Sequence, residues 1–170
     1  MRIGIIGSDD RAIAIGRLLA SGGHDVTIGD PTDTQRAQAA AQQAQGEAEI
    51  PYRQAMTREI VVLAVPHDRI DETLTALGSG IRATAIVDAT DGTSNGRTHS
   101  EAELLARKLD SHRLVRALIV LPQPGANIPL CGDDPLAKAA VEEALRACKC
   151  LTTDRGPLAN ATELEPRRAA

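Results

Sequence analysis

Aromatic side chains are almost absent from this sequence, which has one tyrosine, Tyr52, and neither phenylalanine nor tryptophan. The core must therefore be aliphatic, and a flat ligand would be held by backbone and aliphatic groups rather than by ring stacking. A run of about 20 apolar residues, the length of a membrane span, is also missing. Met1 leads directly into the first apolar run, so we expect no signal peptide. We therefore expect a cytoplasmic protein that makes no contact with a membrane.

An excess of positive charge and a set of metal-binding cysteines are lacking as well. The net charge is −4 and the isoelectric point about 5.6, which argues against nucleic acid as a partner. The cysteines are odd in number, and Cys148 and Cys150 alone are too few for a structural zinc site. The sequence therefore predicts no metal site, and reduced thiols in the core or at the surface.

Alternating apolar runs and helical patterns fill the 170 residues, 42% of them hydrophobic. This pattern predicts an α/β fold, a doubly wound, mostly parallel sheet of the Rossmann-like NAD(P)-binding type. We expect one domain over 1–170, whose C-terminal third, 126–170, adds a strand, a helix and a strand. After a first strand around Ile3–Ile6, the predicted strands are 25–29, 47–50, 59–66, 84–89, 114–121, 128–131 and 150–153. The second helix is expected to begin at a cap formed by Thr32 or Asp33.

The turn after the first strand carries the most informative residues. Strand, Gly7 and helix form the opening of a dinucleotide-binding unit, in which helix amides face a pyrophosphate. Asp9 and Ala12 replace the second and third glycines of the G-x-G-x-x-G pattern. Asp9 either repels the pyrophosphate or, like Asp10, caps the helix and satisfies its amides. Arg11 either binds a phosphate or is solvated.

Further candidate residues follow the other strands, at the edge of the sheet where such folds bind ligands. Asp30 either holds the ribose hydroxyls of NAD or belongs to an Asp-Pro turn. His67 is the candidate catalytic residue, since histidine titrates near neutral pH, although a surface role is as plausible. Asp88 is expected to hydrogen-bond loop amides beneath the cleft. The residues expected to line the cleft or bind a cofactor are Gly7, Ser8, Asp9, Asp10, Arg11, Ala12, Asp30, Ala64, Val65, Pro66, Ala89 and Thr90.

Several blocks occur in the order of a known family: the opening Met1–Ser8, the strands 61–66 and 86–90, the block Cys131–Asp134 and the segment Asp154–Leu158. Together they resemble the NADP-dependent reductases of the deazaflavin coenzyme factor 420. The resemblance implies hydride transfer between the reduced deazaflavin and NADP, and a fold shared with the ferric reductase domains of metalloreductases. It also implies a homodimer, because relatives bury their C-terminal region in a dimer.

Three departures from the family pattern lie at the cofactor site. The glycine turn is altered, Gly29-Asp30-Pro31 lacks the arginine that binds the adenosine phosphate of NADP, and Ile119 replaces an asparagine or histidine beside the nicotinamide. We therefore expect a small-molecule ligand and weak NAD(P) binding, with NAD(H) preferred. Three hypotheses stay open: an oxidoreductase with an unusual phosphate turn, a non-redox enzyme (cyclase, isomerase or proton transfer) in the former cofactor cleft, or a non-catalytic binding protein.

Overall fold

The computed structural model describes residues 1–48, 52–78, 80–92, 99–120 and 123–165, and these ranges contain an eight-stranded sheet. The strands are β1 (Arg2–Ile6), β2 (Asp25–Gly29), β3 (Glu47–Ala48), β4 (Ile60–Leu63), β5 (Ala85–Asp88), β6 (Leu114–Arg116), β7 (Asn127–Gly132) and β8 (Leu151–Asp154). The α-helices are α1 (Asp10–Ser21), α2 (Thr34–Ala44), α3 (Ile70–Leu77), α4 (Glu101–Lys108) and α5 (Pro135–Ala147). Short 3₁₀ helices cover Tyr52–Thr57, His67–Arg69 and Leu158–Glu163.

The strand order is β3-β2-β1-β4-β5-β6-β7-β8, and only the β6–β7 pair is antiparallel. The sheet grows from β1 in both directions, so a crevice opens at the carboxyl ends of β1 and β4, where the direction of winding changes. In the central register, Ile5 lies between Ile28 and Val62. The predicted doubly wound, mostly parallel sheet is confirmed.

Each face of the sheet is covered by helices and has an aliphatic core. One cluster joins the sheet to α1, α2 and α5, with Leu18 and Val141 among its members. The other joins the sheet to α3, α4 and the 3₁₀ helices, with Leu77 and Leu105. Apolar strands covered on both faces are typical of parallel sheets. The aliphatic core expected from the composition is therefore present on both sides.

Side-chain caps fix where the helices begin. Asp33 accepts a hydrogen bond from the backbone N–H of Arg36 and so caps α2, as one of the two predicted candidates. Ser100 and Glu103 form a reciprocal capping box at α4. Asp134 caps α5, whose first residue is a proline. The caps of α2 and α4 place the amino ends of these helices beside the strand ends that form the crevice, whereas α5 begins at the opposite edge, because β7 is antiparallel to β6.

The prediction of a strand over 114–121 is wrong, because β6 ends at Arg116. Leu118 adopts a φ of 59°, a left-handed conformation that a strand does not contain. The two carbonyls that follow, of Leu118 and Ile119, accept hydrogen bonds from the Arg11 side chain instead of from a neighbouring strand. The strand predicted over 59–66 is also shorter, as β4 covers Ile60–Leu63.

The C-terminal third continues the sheet as predicted, with β7, α5 and β8. β7 pairs with β6 through Val115 and Arg116 only, and β8 runs parallel to β7 at the edge. Residues 49 and 50 of the strand predicted over 47–50 and residue 121 of the strand predicted over 114–121 lie outside the described residues, as do residues 93–98 after β5. That 1–170 form a single domain stays a prediction.

All three cysteines are buried and free, so the core alternative holds for each of them. Burial raises the pKa of the Cys131 thiol to about 12 and that of Cys148 to about 11, which keeps both protonated at neutral pH. No helix within the described ranges combines the length and the apolar character needed to cross a membrane. A cytoplasmic location stays a prediction.

Tyr52 packs over the end of β2, at the margin of the crevice. Its hydroxyl donates a hydrogen bond to the carbonyl of Ala76 near the end of α3, at 2.7 Å. A β-carbon added at Gly29 would lie 2.8 Å from the β-carbon of Tyr52. Position 29 must therefore be glycine for the tyrosine to pack at the end of β2. This contact joins the segment after β3 to the helix behind β4.

Candidate functional site

The carboxyl ends of β1, β4 and β5 lie side by side and bring three loops together. The amide of Ala64 donates to the carbonyl of Ile6 at 2.8 Å, and the amide of Ala89 donates to Leu63 at 3.0 Å. Gly7 has a φ of 131°, and a β-carbon there would lie 2.1 Å from the Ala64 carbonyl oxygen. Glycine is therefore required at this turn for the loop after β1 to contact the loop after β4. The same loops carry the other predicted cleft residues, Ser8, Val65, Pro66 and Thr90.

Asp9 is the N-cap of α1. Its Oδ1 accepts a hydrogen bond from the backbone N–H of Ala12 at 3.0 Å, and its carbonyl accepts one from Ile13. The adjacent Asp10 is exposed in the first helical turn. The capping alternative is thus confirmed for Asp9. A carboxylate consequently occupies the position at the helix amino end where a pyrophosphate binds in dinucleotide-binding proteins.

Ala12, the replacement of the third glycine, is fully buried in the cluster beneath α1. An alanine here is compatible with close packing of helix on strand, and the dinucleotide pattern admits it at this position. Its methyl group therefore lies in the core. A role for Ala12 in cofactor binding stays a prediction.

The alternative of a solvated Arg11 is wrong, and its role as a phosphate ligand stays a prediction. Its guanidinium donates to the carbonyl of Leu118 at 3.4 Å and also to the carbonyl of Ile119. These bonds join the first turn of α1 to the loop that follows β6. Arg11 therefore holds the loop beside the crevice rather than being solvated, and its charge is directed toward backbone oxygens.

Asp30 is buried, and its carboxylate accepts four hydrogen bonds. Oδ2 accepts from the hydroxyl of Ser8 at 2.6 Å, while Oδ1 accepts from the amide and hydroxyl of Thr32 and from the amide of Asp33. Burial raises the pKa of Asp30, but the hydrogen bonds from Ser8, Thr32 and Asp33 outweigh it and leave the pKa below its ordinary value. The carboxylate is committed to the turn after β2, which matches the Asp-Pro alternative. A role at the ribose stays a prediction.

Arg69 is a residue that the sequence reasoning missed. Its Nη2 donates to the hydroxyl of Thr32, the residue that also bonds Asp30. The crevice edge beside the end of β2 therefore holds a cation, which comes from the 3₁₀ helix after β4 rather than from β2 itself. The sequence could have indicated Arg69, because it lies three residues after Pro66 and a helix that follows β4 begins at this edge.

His67 lies at the start of the same 3₁₀ helix and has an acidic partner. Its Nε2 is 3.5 Å from Oε2 of Glu101, and its amide donates to Oδ1 of Asp91 at 2.7 Å. Glu101 belongs to the first turn of α4, whose pairing with His67 no sequence spacing indicated. A carboxylate at this distance can orient an imidazole. The arrangement is suited to moving a proton at the edge of the crevice.

A buried ion pair lies below the loop after β5. Arg116 Nη1 is 2.8 Å from Asp88 Oδ2, and both side chains are almost inaccessible, at 0% and 1%. Oδ1 of Asp88 accepts the amide and the hydroxyl of Thr90, which confirms that Asp88 holds this loop. Arg116 in turn donates to the Thr90 hydroxyl and to the Gly92 carbonyl. The Thr90 hydroxyl is therefore fixed from two sides.

The C-terminal segment reaches the same region through Glu165. Its Oε1 accepts hydrogen bonds from the amides of Glu101 and Ala102, at the amino end of α4. Burial raises the pKa of the Glu165 carboxyl, while the charge of Arg116 acts in the opposite direction. The segment after β8 is thereby attached to the helix that carries the partner of His67.

An apolar cavity of about 230 Å³ adjoins the loop after β6. It is lined by Leu118, Ile119, Val120, Ala126, Asn127, Ile128, Pro129 and Leu164. Because Arg11 bonds the carbonyls of Leu118 and Ile119, this cavity lies next to the first turn of α1. In the described ranges no group of histidine, cysteine or acidic residues is arranged to hold a metal ion.

The sheet order, the Gly7 turn and the crevice at the strand ends define an NAD(P)-binding protein of the Rossmann-like class. Residues 2–92, more than half of the chain, match the family model of NADP oxidoreductase, coenzyme F420-dependent. The chain belongs to this family, which confirms the resemblance. The metalloreductase STEAP3 of Rattus norvegicus is 27% identical over 176 residues, which cover 96% of this chain and 36% of that protein. The chain thus spans about a third of the length of this curated relative.

Solved structures show the same fold at lower identity. A proposed F420-dependent NADP-reductase from Arthrobacter sp. FB24 is 24% identical with a TM-score of 0.78, covering 96% of this chain and 88% of that one. The protein SMa0349 of Sinorhizobium meliloti is 18% identical with a TM-score of 0.77, over 95% and 88%. An imine reductase from Bacillus cereus is 17% identical with a TM-score of 0.73, over 96% and 57%.

Proposed function

We propose that this chain is an oxidoreductase-like member of its family in which the dinucleotide site is weakened where the pyrophosphate binds. Family membership supports hydride transfer between a nicotinamide dinucleotide and a deazaflavin as the ancestral chemistry. The observation that carries the proposal is the carboxylate of Asp9, which caps α1 through the Ala12 amide. The amide that it occupies belongs to the turn that binds a pyrophosphate in this class of protein.

The electrostatic cost at this turn is appreciable. Two like charges about 4 Å apart repel by roughly 1 kcal/mol in water and about 4 kcal/mol at an effective dielectric constant of 20. Arg11 gives little relief, because its guanidinium is engaged with the carbonyls of Leu118 and Ile119. A dinucleotide would have to displace the Asp9 carboxylate from the helix or bind beside it.

The two ends of the dinucleotide site differ in how well they suit the ligand. At the nicotinamide end, Ile119 stands in place of the family's asparagine or histidine, and the polar side chain that lines the apolar cavity, Asn127, is bonded to the hydroxyl of Thr153. At the adenosine end, Arg69 and Thr32 offer a guanidinium and a hydroxyl beside β2. Penalties of about 1.4 kcal/mol at the pyrophosphate and at the nicotinamide would together weaken binding about a hundredfold. The cation at the adenosine end favours NADP(H) over NAD(H), contrary to the preference expected from Asp30-Pro31 alone.

A titration of the reduced dinucleotides tests this proposal. NADPH, NADH and the deazaflavin are added separately to the full chain, and binding is followed by nicotinamide fluorescence or calorimetry. Asp9→Asn retains a good helix cap but removes the charge, so it should strengthen NADPH binding at least about fivefold. Asp10→Asn, which neutralises the exposed neighbouring carboxylate, is the matched control and should change much less. NADPH binding with a Kd of about 1 μM in the unaltered chain would refute the weakened site.

A second function, proton transfer without a redox step, is favoured by the pair His67 and Glu101. The 3.5 Å separation of their side chains at the crevice edge suits a general acid or base. Mass spectrometry of ligand that co-purifies with the chain would discriminate the two functions. A bound carbonyl compound in place of a dinucleotide, together with loss of its turnover in His67→Gln, would favour proton transfer. Absence of any bound small molecule in both experiments would favour a non-catalytic binding protein.

A further inference from the structure

Four arginines lie at the edge of the sheet opposite the crevice. Arg2 begins β1, Arg58 precedes β4, Arg82 precedes β5 and Arg113 immediately precedes β6. These strands are consecutive neighbours in the sheet, although the arginines are far apart in sequence. Neighbouring strands lie about 4.8 Å apart, so the four residues fall within roughly 15 Å of each other along this edge. We call this group the amino-edge arginines.

The amino-edge arginines line a shallow cavity of about 360 Å³. Its other lining residues are Thr57, Glu59, Ala83 and Thr84. Four of the nineteen Lys and Arg residues of the chain line this cavity, whereas only one of its twenty-three Asp and Glu residues does. For a protein with a net charge of −4, this is a local reversal of charge that overall composition does not account for.

The acidic residue in the cavity is already paired. Oε2 of Glu59 accepts the backbone N–H of Arg2 at 2.7 Å and lies 3.7 Å from its Nε. The hydrogen bond from the Arg2 amide is the main reason why the pKa of Glu59 lies below its ordinary value; burial opposes it, and the charges of the N-terminus and of Arg2 reinforce it. Glu59 therefore stays ionised and pairs with Arg2, while Arg82 and Arg113 contribute positive charge to the cavity.

Local contacts hold the guanidinium of Arg113 at the wall of the cavity. Its Nη1 donates to the carbonyl of Ala83 at 2.5 Å, and its amide is held by the hydroxyl of Ser111. Arg82 is exposed, and its backbone is fixed by a hydrogen bond to the carbonyl of Met56. One arginine is thus preorganised, and a second has a fixed backbone from which its side chain can close over a ligand.

We propose that the cavity of the amino-edge arginines is a binding site for a phosphate-bearing ligand. The planar guanidinium matches the oxygen geometry of phosphate and forms paired, charge-assisted hydrogen bonds with it. The hydroxyl of Thr84 adds a donor at the same cavity, whereas that of Thr57 already donates to the carbonyl of Gln54. The site is independent of the proposed dinucleotide function, because amino and carboxyl ends of parallel strands lie on opposite edges of the sheet. Helix carboxyl ends also lie at this edge, so a purely stabilising role for the arginines is the competing explanation.

Calorimetric titration of the full chain with sodium pyrophosphate tests the proposal. We expect saturable binding that weakens with added salt. Arg82→Gln should lower the affinity about tenfold or more, and the double variant Arg82→Gln with Arg113→Gln should lower it further by a similar factor. Arg82 is exposed, so its replacement should leave the melting temperature almost unchanged. The matched control is Arg146→Gln, on the exposed last turn of α5, which should retain the affinity.

Vesicles distinguish a lipid phosphate from a soluble one. Co-sedimentation with phosphatidic acid vesicles, but not phosphatidylcholine vesicles, would assign the site to a lipid headgroup if the Arg82→Gln variant loses it. Pyrophosphate binding without co-sedimentation would assign it to a soluble phosphate compound. Absence of binding to either probe, or binding that is equal in Arg82→Gln and the unaltered chain, would overturn the proposal. A lowered melting temperature in the variants without any ligand effect would favour the stabilising role and would equally overturn it.

Discussion

Replacing Arg116 with methionine is expected to lower the free energy of unfolding by about 3–5 kcal/mol, because it leaves the Asp88 carboxylate buried without its counter-charge. The two charged groups are 2.8 Å apart and both are excluded from solvent. At that distance their attraction is about 6 kcal/mol for an effective dielectric constant of 20, against a desolvation cost of several kcal/mol for each ion. Methionine has a similar length and fills most of the space, so loss of volume contributes little.

The partner substitution should be milder. Asp88→Asn removes the charge but retains an oxygen that can accept the amide of Thr90, and Arg116 keeps the negative charge of Glu165 nearby. The double variant Asp88→Asn with Arg116→Met leaves no uncompensated buried charge from this pair. It should therefore be more stable than Arg116→Met alone, with a coupling energy of about 1–3 kcal/mol.

Urea unfolding of the four proteins, followed by far-ultraviolet circular dichroism at neutral pH, measures this cycle. A loss of about 4 kcal/mol would lower the melting temperature by roughly 8–16 °C in a chain of this size. A loss below about 1 kcal/mol in Arg116→Met would refute the reasoning, since it would mean that water reaches and screens the Asp88 carboxylate. Additive effects in the double variant would also refute it.

Three further predictions concern the C-terminal segment, the adenosine end of the site and the assembly. Folding raises the pKa of Glu165, so the contribution of this carboxyl to stability is present at acidic pH and is lost as pH rises through the raised pKa. The gain in stability from Glu165→Gln should therefore grow from acidic to neutral pH. A difference in melting temperature that is constant with pH would contradict this. Arg69→Ala should lower the affinity for NADPH about tenfold while leaving NADH almost unaffected, and an equal loss for both would show that Arg69 does not contact the extra phosphate. Sedimentation should report a homodimer, because Val120, Leu136 and Leu151 are 81%, 74% and 68% exposed; a monomer at tens of micromolar would count against it.

The fold could be predicted from the sequence because its signals are local. Short apolar runs such as Ile3–Ile6 and 84–89, each followed by a helical pattern, specify buried parallel strands without reference to distant residues. The prediction failed after β6, where Leu118 and Ile119 are as apolar as a strand requires. There the backbone follows a long-range contact with Arg11 instead, and hydrophobic periodicity contains no information about that contact.

The sequence could predict the structural roles only of those site residues that are close to the glycine turn along the chain. Capping by Asp9 depends on four consecutive positions, 9–12, and was among the alternatives. Arg69 and Glu101 reach the site from helices that follow other strands, so their partners Thr32 and His67 depend on the strand order. That order is known only from the three-dimensional structure. The residues next to β2 in the sequence indicated that no cation lies at its end. The structure places Arg69 there, which is distant in sequence but adjacent in space.

The single tyrosine, packed against Gly29 and bonded to Ala76, makes this protein optically simple. With no tryptophan to dominate emission or absorb energy from a donor, ultraviolet fluorescence of the native chain originates from one phenol ring at the margin of the crevice. Its intensity should report the loosening of that margin when the protein unfolds or binds a ligand. The longer-wavelength emission of a reduced nicotinamide would be free of energy transfer from protein indoles, so a change in that signal would reflect the surroundings of the ligand alone.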